Sequence, residues 1–215
     1  MTETERLSPM PRTPPTGKNQ TVPPRRPTNG DVRPREYLTD AEVEQLLAAA
    51  RKRSGRYGHR DATMILVAYL HGLRVSEVCA LRWDQVDTRQ GHLHVVRRKG
   101  SKPAVHTLRG SELRALRRLE REQRPASPFV FTTERQGPMT TEGFRKLISR
   151  VGAAAALPFP VHPHMLRHAC GYELQRQNLP TRVIQAWMGH ADIRHTVRYT
   201  ELASDAFKEV WRAKD

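Results

Sequence analysis

Half of the sixteen prolines in this 215-residue chain fall within its first thirty-six positions, and only scattered apolar side chains lie between them. Proline fixes φ and removes a backbone donor, so such a stretch builds neither a helix interior nor a central strand. It also offers too little apolar surface to offset the entropy of ordering it. Residues 1–36 are therefore expected to be a disordered Pro- and Arg-rich tail, and a fold has to be assembled from residues 37–215. That length suits one ordinary domain.

Within those residues the dominant period is helical. Thr39, followed three residues later by Glu42, forms a capping box, and Val43, Leu46 and Leu47 then share one face. Asp61 to Leu70 reads as a second, more apolar helix stopped by Gly72, which leaves Arg74 just beyond a turn, able to be aimed inward. His92 to Arg97 and Ala104 to Leu108 alternate in the manner of strands, joined by a tip containing Lys99, Gly100, Ser101 and Lys102. Residues 111–123, 140–155, 163–177, 180–188 and 204–213 read as further helices, with a short extended piece at Phe129 to Phe131. The expected fold is mainly α with a small antiparallel β-sheet, in the α+β class. There is no internal repeat, coiled-coil heptad or glycine-rich phosphate loop.

With 37 Lys plus Arg against 22 Asp plus Glu, the chain carries a formal charge of +15. Seven of those cations and four of the anions lie in the first thirty-six residues, so most of the excess belongs to the remainder. Such a surface favours a polyanion, whether DNA, RNA or an acidic membrane. The longest nearly continuous apolar run, Met64 to Leu70, is far too short to span a bilayer, and a cytoplasmic protein is expected. Cys79 and Cys170 sit in apolar helical patterns and read as small core residues of a reducing compartment.

Chemistry concentrates in the last third, where HPHMLRHACGYEL holds His164 and Arg167, and MGHADIRHTVRYT holds His190 and Tyr199. Phosphoryl transfer without a metal needs an attacking oxygen and fixed cationic donors around one phosphate. Tyr199 supplies the oxygen; Arg74 and Arg167 supply guanidiniums that never deprotonate. His164 and His190 can donate to the same oxygens or move protons. Taken singly, each has a plainer reading: Arg74 as a salt-bridged surface arginine, Tyr199 as a core aromatic, Lys99 and Lys102 as a solvated hairpin tip. His162, His164, His168 and Cys170 are also close enough in sequence to suggest zinc. Pro163 interrupts that cluster and no separate ligand pair accompanies it, so neither metal nor cofactor is expected. Arg82, Arg97, Arg98, Arg145 and Arg194 are candidate phosphate contacts, the arginines of 114–124 a solvated helix face, and His71, His94, His106 and His195 ordinary surface or core residues.

Taken together, GLRVSEV around Arg74, HMLRH around Arg167, and MGH followed nine residues later by Tyr199 resemble the boxes of the tyrosine recombinases, the phage integrase family, over roughly residues 37–213. Within the family the last two motifs most resemble the short recombinases that invert the promoter switch of type 1 fimbriae in enteric bacteria. The resemblance implies that Tyr199 attacks a DNA phosphate to leave a 3′-phosphotyrosine and a free 5′-hydroxyl. Arg74, Arg167, His164 and His190 would serve the phosphate, with Lys99, on the hairpin turn, as the acid for the leaving oxygen. Glu77 would support the site, and His168 would pack and orient. It further implies double-stranded DNA carrying paired sites as partner, a tetramer linked by exchanged C-terminal helices, and possible help from accessory DNA-bending proteins. No counterpart of the family's usual N-terminal DNA-binding domain is expected before residue 37. Inversion is the first expectation, with integration or excision beside it. A type IB topoisomerase-like nicking and closing enzyme and a non-catalytic DNA-binding regulator are the alternatives.

Overall fold

A computed structural model of the chain describes residues 35–53, 57–97, 103–123 and 127–200, the side chain of Thr200 excepted. Nearly all of the expected tail, Lys99 with the rest of the hairpin tip, and the expected helix at 204–213 lie outside these residues.

The first helix, α1 (Asp40–Arg51), opens on the expected capping box: Thr39 N donates to Glu42 Oε2 at 2.8 Å, and the Thr39 hydroxyl accepts from Glu42 N. Its Val43, Leu46, Leu47 and Ala50 are buried against α2 (Tyr57–Leu70), the central helix, which also packs on the later helices Gly110–Gln123 and Pro163–Arg176. Helix α2 begins four residues earlier than the apolar period indicates. Its first turn is held by long-range polar contacts, Tyr57 Oη to Glu134 and Arg60 Nη1 to the Thr132 carbonyl, which leave no local signature. Asp61, fully buried, is matched by Arg53 and Arg60. After Gly72, in the left-handed region at φ +54°, a five-residue helix α3 (Val75–Cys79) follows, too short to show in the sequence pattern.

A three-stranded antiparallel sheet comes next, in the order β1 (Val86–Asp87), β2 (His92–Val95), β3 (Ala104–Thr107). Its register pairs Val86 with Leu93 and Leu93 with His106. Both hairpin strands are shorter than the alternation suggests. Phe129 to Phe131 is not a strand; it contributes one isolated bridge, Arg82 to Phe129, and buries Val130 and Phe131. The remaining helices are α4 (Gly110–Gln123), α5 (Thr141–Ala154), α6 (Pro163–Arg176), α7 (Thr181–Met188) and α8 (Arg194–Thr200). Helix α4 turns its arginines to solvent and buries Leu116 and Leu119. Helix α8 is unanticipated, because the run RHTVRYT has no apolar period; among its described side chains Thr196 and Tyr199 are the buried ones. One core runs through all the helices α1 to α7 and takes in Leu93 and Val95 of the sheet. Cys79 and Cys170 are free and buried in it. Among the described residues, no helix is long and apolar enough to cross a membrane.

Candidate active site

Arg74 lies at the N-cap of α3, where a side chain leaves the backbone at the edge of the core. Glu77, one turn on, folds back: its Oε2 accepts from Arg74 N at 2.9 Å and its Oε1 from Arg74 Nη1 at 2.8 Å. Its Oε2 also takes Arg97 Nη1 at 2.7 Å. Burial pushes the Glu77 carboxyl up, but Arg97 and then Arg74 outweigh it and hold the group below its ordinary value, as a carboxylate. The Arg74 side chain keeps 36% of its surface exposed, whereas that of Arg97 is wholly covered.

The C-terminal end of α7 gathers three guanidiniums. Arg97 donates to the Trp187 carbonyl, Arg167 to the Met188 carbonyl at 2.6 Å, and Arg74 to the Gly189 carbonyl at 3.5 Å. These are last-turn carbonyls that find no partner inside their own helix, and they sit at the negative end of its dipole. The chain can turn there because Gly189 adopts φ +61°. Arg167 also donates to the Gly72 carbonyl, tying α6 to the turn before Arg74. Burial, followed by Arg74 and Arg97, lowers Arg167 to about 10, so it stays charged at neutral pH. Two of the three guanidiniums pair with the one carboxylate of Glu77 and Arg167 has no carboxylate contact, so the excess positive charge suits an anion.

Tyr199, on α8, is 3% exposed and lies against α6. Its hydroxyl is 2.8 Å from His168 Nδ1, and its ring meets Tyr172 edge-on at 5.1 Å. Gly171 makes this approach possible, since a Cβ there would fall 2.7 Å from the tyrosine ring. Burial raises the Tyr199 hydroxyl to about 12, against the opposing pull of Arg167 and Arg198. Burial likewise lowers His168 to about 3, assisted by His164 and Arg198, so its ring is neutral beside the phenol. His190, past the α7 turn, lies 6.1 Å from the Tyr199 ring with Nδ1 at 2.8 Å from Thr196 Oγ1. Burial, then Arg167, brings it to about 3.

Of the residues singled out in sequence, Arg74, Glu77, Arg167, His168, His190 and Tyr199 come together here. His164 is exposed and meets His168 edge-on at 4.4 Å. Of the residues of the zinc alternative, His162 pairs with Glu36, His168 with Tyr199, and Cys170 Sγ faces the Leu70 carbonyl. Among the described residues no three His, Cys, Asp or Glu side chains form a group fit for a metal. Arg97, one of the candidate phosphate contacts, is instead buried between Glu77 and the Trp187 carbonyl. Strand alternation carried that signal, because Leu93, Val95 and Arg97 share the inward face. Arg82 and Arg194 spend donors on Asp84 and Asp192. Thr196 and Trp187 were missed altogether; neither side chain advertises a role without its neighbours.

Residues 36–205 match the model of the phage integrase family. The chain belongs to that family. Among phage integrase relatives it is 36% identical over 185 residues to the type 1 fimbriae regulatory protein FimB of Escherichia coli K12, covering 84% of this chain and 92% of FimB. Its identity to FimE of the same strain is 37% over 182 residues, covering 82% of this chain and 91% of FimE. The crystal structure of XerA recombinase superposes with a TM-score of 0.70 at 27% identity, covering 80% of this chain. This integrase family member spans 62% of the XerA chain, and the mostly helical architecture with its small sheet is that of the recombinase catalytic domain.

Proposed function

We propose that this chain inverts a DNA segment by cutting and rejoining strands at paired sites through a 3′-phosphotyrosine on Tyr199. The enzyme class comes with the family: it is a tyrosine site-specific recombinase. The observation that carries the residue-level reading is the meeting of Arg74, Arg167, His190 and Tyr199 around the end of α7.

In this reading the Tyr199 oxygen attacks the phosphorus in line, a Tyr–O–P bond forms, and the P–O5′ bond breaks. The negative charge that develops on the non-bridging oxygens is met by Arg74 and Arg167, already charged and already fixed. His190 donates through Nε2, the tautomer that results when Thr196 donates to Nδ1. His164, on the exposed side, assists phosphate binding. Neutral His168, 2.8 Å from the Tyr199 hydroxyl, accepts its hydrogen bond and orients the oxygen, and the phenolic proton passes to water as the Tyr–O–P bond forms. Lys99 gives a proton to the departing 5′-oxygen. The phosphotyrosine retains the energy of the broken ester, so a 5′-hydroxyl from another duplex reverses the step without ATP. Inversion is favoured over integration or excision by the resemblance to FimB and FimE across most of their length.

The same reading has residues 37–215 as one catalytic domain behind a basic tail, four copies joined on DNA by exchange of the segment 204–213, accessory DNA-bending proteins at the sites, and the bacterial cytoplasm as the setting. The test is a nicked suicide duplex of flanking genomic DNA incubated without metal. Wild type should give a covalent protein–DNA band on a denaturing gel and Tyr199→Phe none. An undiminished band from Tyr199→Phe would remove Tyr199 as nucleophile.

A further inference from the structure

Arg97 holds a full charge in a place no solvent reaches, which is costly unless its donors are used. Two are: Nη1 binds Glu77 Oε2 and Nη2 binds the Trp187 carbonyl. Glu77 is thereby gripped from both sides, by Arg97 on one oxygen and by Arg74 on both. At the other end of the fork, the Gly189 backbone lies so near that a Cβ on it would be 2.6 Å from Arg97 Nε. The Trp187 ring is stacked 3.8 Å from His106 of β3, so the hairpin and α7 are clamped where Arg97 crosses between them.

We propose that Arg97 is a positioning residue of the cleavage reaction. It does not touch the phosphate; it sets the angle of Arg74 through Glu77 and the path of Met188–His190 through Trp187. The inference rests on the reading of Arg74 as a phosphate ligand. A lysine at this position keeps the charge beside Glu77 but, as a single point donor, cannot hold carboxylate and carbonyl in one planar fork. Arg97→Lys therefore separates the charge from the geometry.

The experiment compares two nicked duplexes, one with the ordinary phosphodiester and one with a methylphosphonate at the scissile position, using the full chain under single-turnover conditions. A methyl group in place of a non-bridging oxygen removes the negative charge that Arg74 would meet, so a misplaced Arg74 costs less on it. Arg97→Lys and Arg97→Gln should lower covalent adduct formation on the phosphodiester by roughly ten- to a hundredfold. On the methylphosphonate they should lose several times less, as Arg74→Ala should. The ratio of the two rates within one preparation does not depend on how much of the variant is folded. If both Arg97 variants lose equally on the two substrates while Arg74→Ala loses selectively, the positioning role is overturned and the reading of Arg74 stands. If Arg74→Ala itself loses equally on both, the reading of Arg74 fails and the inference with it. Full activity of Arg97→Gln on the phosphodiester also overturns it.

Discussion

At the scale of the residue, the site depends on close approaches as much as on charges. Gly171 lies under the Tyr199 ring, and replacing its hydrogen with a methyl group would put a carbon 2.7 Å from the ring. Gly171→Ala should therefore push the tyrosine away from His168 although alanine suits a helix better than glycine by up to about 1 kcal/mol. The expected outcome is single-turnover cleavage reduced on the order of a hundredfold, with helix content by circular dichroism unchanged. A variant that cleaves at the wild-type rate would mean that Tyr199 leaves this position before it reacts. Arg74, Arg167, His190 and Tyr199 could be grouped from the sequence because motif spacing survives without any knowledge of the fold, and the structure brings the four together at the end of α7. Arg97 counts as a candidate phosphate contact when its charge alone is weighed, whereas its strand parity with Leu93 and Val95 places it inside.

At the scale of the element, helices α2 and α4 and strand β3 meet through polar groups that sequence patterning treats as background. Glu112 of α4 accepts from His71 Nε2 at 2.8 Å, and His71 Nδ1 is 3.0 Å from His106 Nδ1, all three side chains buried. With the proton of His71 on Nε2, His106 donates from Nδ1, and its Nε2 is left without a partner among the described residues. The chain of contacts ties α2, α4 and the hairpin into one unit, and its disruption leaves a buried donor unmet. Glu112→Leu should destabilise the protein by roughly 1–3 kcal/mol in a urea melt. An unchanged midpoint would show that the contact contributes nothing. His71 and His106 were set aside as ordinary, since a lone histidine in an apolar pattern names no partner. Helix α8 escaped notice for a related reason: it is held by Tyr199 and Thr196 against α6 and the His190 turn, not by a periodic face of its own.

At the scale of the whole molecule, folding keeps histidines neutral. His106, His168 and His190 all fall to about 3, chiefly through burial, from an ordinary value near 6.5. Between those limits the unfolded chain binds more protons than the folded one, so stability falls as pH falls, by up to about 1.4 kcal/mol per pH unit for each histidine. Carboxylates held below their ordinary value, Glu77 among them, stay ionised from pH 7 to pH 5 and leave that interval to the histidines. The melting temperature should be lower at pH 5 than at pH 7 by roughly 5 °C or more; equal melting temperatures would show that these rings do not stay neutral. By itself the sequence determined the helical class, the cap of α1, the hairpin and the four motif residues, because apolar periodicity, capping chemistry and motif spacing are local properties. What only the tertiary structure decided is where charge is buried and whose carbonyls receive it. The convergence of Arg74, Arg97 and Arg167 on the end of α7, and of His168 on Tyr199, joins residues up to 115 positions apart, and no local pattern records a partner that distant.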